Sequence, residues 1–380
     1  MKKIVIFTCI GGHNSVSDSL KTYLSDFYDV AVLNFFLDIV GYLDPIRWLT
    51  GSIWTAEDYY SFCVRNRLHT FLNKTYGPSL FLFGLLHPFI KKRIKKRLIQ
   101  EKVTVLISVI PWFNNFFLEI AQELDITFIL MPTDMEVVHF FNNISSISYK
   151  RFTFLMPFED QSMYSFALKK GIQPSQICIT GVPLKGQFFY KHNEYEIRTL
   201  LAIPQQKPII LLLMGSQGSS AMIDYAKKLA TIEDIPFHLI MVLGANTKQR
   251  SVIEKVHFGP LVTKTILGFT DLIPQLMAIS TLLITKSGGI SISEAIYMNL
   301  PTLMDATSEI LFWEKANQKF MHENRFGTSI HCLQELPSVI RAFLTTRKDM
   351  LEIYKKNMLL FEKKHGALMV KKIIDGAMLK

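Results

Sequence analysis

Residues 208–220 read PIILLLMGSQGSS. An apolar run of strand length is followed at once by Gly215, by small polar residues, and then by a segment with helical spacing at 219–230. Strand, glycine loop and helix in this order form the opening unit of a doubly wound α/β domain. This part of the chain is therefore predicted to be a parallel sheet with helices on both faces.

The same opening occurs about two hundred positions earlier, where the apolar run 4–10 is followed by Gly11-Gly12 and by helical spacing over 15–24. Further runs of strand length follow each opening, at 30–36, 103–109 and 127–131, and at 238–243, 261–267, 282–285 and 302–304. We therefore predict an α/β chain of two doubly wound, Rossmann-like domains that face one another across a cleft. Their expected bounds are 1–184 and 185–350, followed by a helical segment, 351–380, that packs back on the first domain.

The composition limits the class of protein. A chain of 380 residues suits two domains with separate cores, and 49% hydrophobic residues exclude a disordered chain. The longest apolar runs, such as 209–214, are much shorter than the ~20 residues of a membrane-spanning helix. The four cysteines are scattered without a CxxC pair, which argues against a zinc knuckle or a disulfide framework and fits a reducing cytoplasm.

Two glycine turns in the second half fit a diphosphate. The loop 215–218 and the turn 286–289 each follow a strand and open a helix, where free backbone N–H groups and the helix dipole favour an anion. Glu294, further along the second helix, is suited to accept hydrogen bonds from two ribose hydroxyls. Each loop alone is also typical of a simple turn, and a lone glutamate of a solvated helix face. The candidate ligands are Gly215, Ser216, Gln217, Gly218, Lys286, Ser287, Gly288, Gly289 and Glu294.

Several motifs in the same order resemble a known family. Residues 268–304, GFTDLIPQLMAISTLLITKSGGISISEAIYMNLPTLM, resemble the donor-binding signature of the glycosyltransferases grouped with monogalactosyldiacylglycerol synthase and the processive diacylglycerol glucosyltransferases. This group is glycosyltransferase family 28-like and is more distantly similar to the lipid I N-acetylglucosaminyltransferase of peptidoglycan synthesis. The resemblance extends to 171–188, 211–220 and 11–20, and so covers nearly the whole chain.

The resemblance implies a GT-B glycosyltransferase with an acceptor domain first and a UDP-sugar domain second. It places the two glycine turns at the diphosphate, Glu294 at the ribose and Phe269 near the uracil. It also implies that Glu314 and Asn317 contact the donor sugar. The usual Pro-Gly-Gln before that glutamate is replaced here by Leu311-Phe312-Trp313, so the sugar stays open.

The candidate catalytic residues lie in the first half. His13 follows Gly11 and Gly12, and an imidazole is able to take a proton from an attacking hydroxyl at neutral pH. Asp134 and His139 resemble a family segment with the same spacing, and Asp134 is expected either to orient His13 or to act as the base. We predict a single inverting displacement at the sugar carbon with no cofactor and no metal, because the sequence lacks an Asp-x-Asp motif.

Residues 78–97 join an apolar stretch to a basic run, which is typical of a protein that inserts partially into an anionic membrane. A buried helix pair with a solvated basic face is the alternative. No nucleic-acid motif accompanies the charges. Trp112, Phe113, Phe116 and Phe117 are candidates for the wall of a lipid groove. The candidate membrane residues are Phe81, Phe83, Lys91, Lys92, Arg93, Lys95, Lys96 and Arg97.

The sequence therefore predicts a peripheral enzyme on the cytoplasmic face of a membrane. It transfers galactose or glucose from a UDP-sugar to a lipid hydroxyl, with diacylglycerol as the expected acceptor. The alternatives are transfer of N-acetylglucosamine to a polyprenyl-linked precursor, a UDP-sugar epimerase, and a catalytically silent membrane-binding protein.

Overall fold

The computed structural model describes residues 1–376, apart from the side chains of Leu80 and Leu82. The chain forms two compact units, and each is built from more than one stretch of sequence. The first contains 1–60, 74–186 and the residues from 363 onwards, whereas the second contains 61–73 and 187–362. The sequence placed 61–73 within its first domain, but the contacts of this segment assign it to the second unit.

The first unit is built on a parallel six-stranded sheet in the order β2-β1-β3-β4-β5-β6. Its inner strands are almost wholly buried, because helices cover both faces. The strands are β1 Lys3–Thr8, β2 Asp29–Asn34, β3 Val105–Ser108, β4 Thr127–Leu130, β5 Phe152–Met156 and β6 Ile177–Ile179. The helices up to the end of this sheet are α1 Gly12–Leu24, α2 Pro45–Leu49, α3 Ala56–Arg65, α4 His69–Leu85, α5 His87–Gln100, α6 Asn114–Leu124 and α7 Gln161–Lys169.

The second unit repeats this plan with the strand order β12-β11-β10-β7-β8-β9, again entirely parallel. Its strands are β7 Ile209–Leu213, β8 Phe237–Val242, β9 Val262–Leu267, β10 Leu282–Thr285, β11 Thr302–Asp305 and β12 Gly327–Ile330. Its helices are α8 Glu194–Leu200, α9 Ala221–Leu229, α10 Arg250–Glu254, α11 Ile273–Ala278, α12 Gly289–Tyr297, α13 Lys315–Glu323, α14 Leu336–Leu344 and α15 Lys348–Leu360. The last helix, α16 Gly366–Ile374, belongs to the first unit.

One strand is shorter than the apolar pattern 30–36 predicts. β2 ends at Asn34, whose side-chain oxygen accepts a hydrogen bond from the Leu37 amide at 3.0 Å. This bond starts a turn of π-helix over Phe35–Val40. Phe35 stays fully buried there, so the apolar pattern reflects core packing and not strand pairing.

No helix within the described residues is long and apolar enough to cross a membrane.

Helix α16 packs against the first unit through a contact that only glycine permits. A Cβ on Gly366 would lie 2.4 Å from the Pro183 nitrogen and 2.6 Å from the Val182 carbonyl oxygen. The other end of the helix is tied down by hydrogen bonds from Tyr28 to Asp375 and from Lys2 to the Ile374 carbonyl. The carboxyl-terminal helix is therefore part of the first unit's core.

Gly366→Ala is expected to destabilise the protein, because backbone atoms block the new methyl group. Overpacking of this kind costs about 2 kcal/mol or more, which lowers Tm by roughly 4–8 °C for a unit of this size. Gly77→Ala is the matched control, since its site within α4 is open and alanine favours a helix. Thermal unfolding followed by circular dichroism measures both variants. An equal Tm for the two would show that α16 is not packed as described.

Candidate active site

The loop after β7 has a backbone conformation that requires glycine. Gly215 and Gly218 have φ values of 76° and 69°, and a Cβ on Gly218 would lie 2.3 Å from the Leu243 carbonyl oxygen. The Gly218 amide donates to the Gly215 carbonyl at 3.1 Å, and the Ala245 amide donates to the Ser216 carbonyl at 2.9 Å. The loop is therefore a tight turn held against the next strand's loop, and it leads directly into α9.

The second glycine turn lies beside the first. The Lys286 Nζ is 3.1 Å from the Glu314 Oε1, and both side chains are largely buried. A Cβ on Gly215 would lie 3.1 Å from the Lys286 Cε, and one on Gly288 would lie 3.5 Å from the Glu314 Oε1. Three predicted donor elements that are far apart in sequence thus meet around one ion pair at the carboxyl edge of the sheet.

The turn at Ser287 presents polar groups suited to an anion. Helix α12 begins at Gly289, and none of the described side chains caps its amino terminus. Within the described residues, the buried hydroxyls of Thr285 and Ser287 have no hydrogen-bond partner. Asn317, which is fully buried, donates to the Ser287 carbonyl at 2.9 Å and so fixes the turn. Helix dipole and free hydroxyl together favour a negative group at this edge.

The other predicted donor residues differ in exposure. Glu294 is partly buried on α12. Phe269 follows β9 and is 71% exposed, so its ring is free to stack on a flat ligand. Glu314 and Asn317 are buried and contact Lys286 and the Ser287 carbonyl, so these two residues predicted for the sugar lie beside the turn predicted for the diphosphate.

In the first unit, His13 is the second residue of α1, directly after the positive-φ turn at Gly11 and the helix's first residue, Gly12. Its Nδ1 is 2.7 Å from the Val109 carbonyl, which is able only to accept, so Nδ1 carries the proton. Thr133 Oγ1 is 3.1 Å from the same nitrogen and donates to Asp134 Oδ2 at 3.3 Å. The structure therefore links His13 to Asp134 through Thr133 and leaves the imidazole Nε2 with its lone pair.

Burial lowers the pKa of His13 to about 4, although its bond to the Val109 carbonyl acts in the opposite direction. The imidazole is consequently neutral at pH 7. This protonation state is the one that a general base needs.

His139 has a different environment. Its ring lies edge-on to that of Tyr76 with the centroids 5.2 Å apart, on the 3-10 turn Val138–Phe141. Burial lowers its pKa as well. The hydrogen bonds that link His13, Thr133 and Asp134 do not involve His139.

The basic run forms one face of α5 and is partly neutralised. Lys91 bonds to Glu119 and Glu123, Lys95 to Glu123, and Arg97 to Glu101, while Lys92 and Lys96 are exposed. Arg93 lies over the Tyr42 ring at 4.8 Å and donates to the Val40 carbonyl.

The apolar residues of this region are divided between surface and core. Phe81 and Phe89 are 69% and 63% exposed. Phe83 is only 8% exposed and packs against Phe36 and Phe113. Its place on the inward face of α4 corrects the expectation that it lies on the surface.

Two charged residues near these sites were not predicted. Arg65 donates to the Gln217 side chain at 2.8 Å, across 152 positions of sequence. Glu57 accepts hydrogen bonds from Asn34 at 2.9 Å and from the Ile10 amide beside the first glycine turn, and burial raises its pKa. No local pattern marks either residue, because their importance comes from contacts distant in sequence.

Comparison with known proteins agrees with this geometry. Residues 209–308 match the family described as the glycosyltransferase family 28 C-terminal domain. The chloroplastic monogalactosyldiacylglycerol synthase of Spinacia oleracea is 22% identical over 377 residues, which cover 92% of this chain and 67% of that protein. The processive diacylglycerol beta-glucosyltransferase of Bacillus licheniformis is 27% identical over 193 residues, which cover 50% of this chain and 49% of that protein.

Among solved structures, the glycosyltransferase SnogD from Streptomyces nogalater has a TM-score of 0.62 at 12% identity, over 99% of both chains. The resemblance predicted from the motifs is thus confirmed, as is an α/β fold of two doubly wound units of the GT-B type. The prediction of a glycosyltransferase is confirmed too, by the family model that matches residues 209–308 and by the two relatives.

Gly218→Ala is expected to weaken UDP binding at least tenfold, because both its positive φ and the Leu243 carbonyl exclude a side chain and the loop must move. Gly376→Ala is the matched control, since it has a φ of 77° in open space in the other unit. Isothermal titration calorimetry with UDP compares them. Unchanged affinity in Gly218→Ala would remove this loop from the nucleotide site.

Proposed function

We propose that this chain is a peripheral membrane glycosyltransferase that transfers galactose or glucose from a UDP-sugar to a lipid hydroxyl, with inversion. The observation that carries the proposal is the convergence of the two glycine turns and the Lys286–Glu314 pair at one sheet edge, within the region that matches the family 28 domain. Diacylglycerol is the proposed acceptor, because the names of both relatives contain it.

In the proposed reaction, the acceptor oxygen attacks the sugar's anomeric carbon from the face opposite UDP. The bond from that carbon to the acceptor oxygen forms as its bond to the diphosphate oxygen breaks, and the hydroxyl proton passes to Nε2 of His13. Asp134, acting through Thr133, stabilises the imidazolium that results. In the alternative, which mutagenesis tests, Asp134 itself accepts the proton of the hydroxyl.

The leaving diphosphate gains negative charge, which preorganised donors stabilise. The amino termini of α9 and α12, the Ser287 hydroxyl and Lys286 supply those donors in this proposal. We assign no metal ion or cofactor to the reaction. Glu314 holds the Lys286 ammonium at 3.1 Å, so the cation is already in position when the donor arrives.

An aromatic groove in the first unit supports a lipid acceptor. A cavity of about 500 Å³ is lined by apolar side chains and by amides. Trp112, Phe113 and Phe116 belong to its wall, whereas Phe117 is fully buried in the core. Asn115, Asn142 and Asn143 supply polar atoms beside the rings, which suits a molecule with an acyl chain and a hydroxylated head.

Membrane contact is proposed for the surface next to this groove. Phe81 and Leu85 line the cavity and are themselves exposed, and the exposed Lys92 and Lys96 lie on the following helix. Apolar side chains flanked by lysines bind an anionic bilayer without crossing it. The four cysteines are scattered along the sequence without a CxxC pair, which suits the cytoplasmic face that we propose.

The test is release of UDP from a panel of UDP-sugars in the presence of diacylglycerol vesicles, with the glycolipid product identified by mass spectrometry. UDP-galactose or UDP-glucose is expected to be consumed only when the lipid is present. Product with a polyprenyl-linked precursor and UDP-N-acetylglucosamine instead, or no lipid-dependent UDP release, would contradict the proposal.

His13→Ala is expected to abolish turnover with little change in UDP affinity.

The same assay separates the two candidate bases. Thr133→Val and Asp134→Asn are expected to lower kcat by similar, non-additive factors if Asp134 acts through Thr133. Because the pKa of His13 is about 4, kcat/KM should stay level below the ordinary histidine pKa of ~6.5 and fall only towards pH 4. Residual turnover in His13→Ala that Asp134→Asn then removes would make Asp134 the base.

For the membrane surface, the paired and exposed lysines give a matched experiment. Changing Lys92 and Lys96 to Gln should reduce pelleting with phosphatidylglycerol vesicles, at ~1 kcal/mol per residue. Changing Lys91 and Lys95 to Gln removes the same charge, but from residues already paired with Glu119 and Glu123, so a smaller effect is expected. Equal pelleting of both double variants and the wild type would place membrane contact elsewhere.

A further inference from the structure

The segment Ser61–Asn73 lies in the first half of the sequence but packs with the second unit. Its contacts fall on the glycine loop after β7. The Arg65 carbonyl accepts a hydrogen bond from the Ser220 amide at 2.9 Å, and the Arg65 guanidinium donates to the Gln217 side chain at 2.8 Å. One residue thus holds the loop through both its backbone and its side chain.

The same segment also contacts the altered stretch before Glu314. Asn73 donates to the Glu309 carboxylate at 2.9 Å and accepts from the Phe312 amide at 3.2 Å. His69 Nδ1 lies 2.7 Å from the Glu309 carbonyl. The segment therefore reaches from the predicted diphosphate loop to the predicted sugar region of the second unit.

Two arginines in this segment have different charge environments. Arg67 is 3.4 Å from the Asp224 carboxylate and donates to Thr307 at 3.0 Å. In the part of the chain that the structure describes, Arg65 has no carboxylate within ion-pair distance, and its buried Nε has no hydrogen-bond partner. Arg67 is thus compensated within the protein, whereas Arg65 is not.

An uncompensated, partly buried guanidinium costs free energy unless an anion satisfies it. Guanidinium offers five N–H donors in a planar fork that matches the oxygens of a phosphate. The hydrogen bond to Gln217 uses only part of that fork. The nearest candidate anion site is the glycine loop that Arg65 itself holds.

We propose that Arg65 is a further donor-site residue, which binds the diphosphate of a nucleoside diphosphate sugar and positions Gln217. The inference rests on the proposed function for the location of the donor. It adds a cation from the first half of the chain to a site otherwise built from the second half. Arg67 has a structural role in the same segment.

The experiment is calorimetric titration of the full chain with UDP and with uridine. Arg65→Gln should lower UDP affinity about tenfold or more and leave uridine affinity unchanged, since only UDP carries the diphosphate. Arg67→Gln removes the same charge two residues away and should change UDP affinity less than about threefold. A parallel loss of UDP and uridine binding in Arg65→Gln would overturn the assignment.

The Gln217→Ala variant separates the two roles proposed for Arg65, which are binding the diphosphate through its charge and positioning Gln217. If Arg65 binds the diphosphate, Arg65→Gln should be the weaker UDP binder of the two, and its UDP affinity should depend less on salt than that of the wild type. Equal losses in the two variants, with unchanged salt dependence, would overturn the charge assignment. Arg65→Lys serves if the glutamine variant does not fold; it should retain more UDP affinity than Gln217→Ala, and less affinity would count against the proposal.

The outcomes also separate this inference from the proposed function. A wild-type chain that binds UDP with the Arg65 dependence described, but makes no glycolipid, would support Arg65 and contradict the acceptor. A wild-type chain that does not bind UDP would contradict the donor assignment and this inference together.

Discussion

Parallel strands that are buried on both faces confine polar chemistry to the loops at the ends of the sheet. In both units the helices cover the strands, so charged groups gather where β1, β7 and β10 end. All three strands lead through a glycine turn into a helix, at Gly11, Gly215 and Gly288. The fold therefore places helix amino termini at the ends of these strands, where side chains from other elements surround them, and no described side chain caps those of α1 and α12.

The sequence predicted those strands and turns well, because buried parallel strands have long apolar runs and positive-φ turns need glycine. It did not identify β5, β6 or β12, since short apolar stretches look alike whether they form a strand or a buried helix. It also extended β2 into the Phe35 turn, where Asn34 supplies a competing hydrogen bond. Hydrophobic patterns in the sequence therefore predict which residues are buried more reliably than they predict the backbone conformation.

Predicting the site was harder for a different reason. The motifs named Lys286 and Glu314 separately, one for the diphosphate and one for the sugar, whereas the structure joins them in one ion pair. The link from His13 through Thr133 to Asp134 was similarly open, because it depends on a hydroxyl that no motif includes. Residue identities can be inferred from a resemblance, but pairings between residues on different elements require the fold.

The net charge of +10 gives a last example of that difference. Six basic residues lie close together on α5, but Glu101, Glu119 and Glu123 form ion pairs with three of them. The net positive charge of this run is therefore smaller than the sequence alone indicates. Arg65 lies outside that run, two residues from Arg67, and no described carboxylate lies within ion-pair distance of it. Because burial strengthens charge interactions and exposure screens them, we expect the partly buried Arg65 guanidinium at the glycine loop to influence an anion more than the exposed part of the run on α5. The fold decides which charges are left uncompensated, and composition alone does not show that.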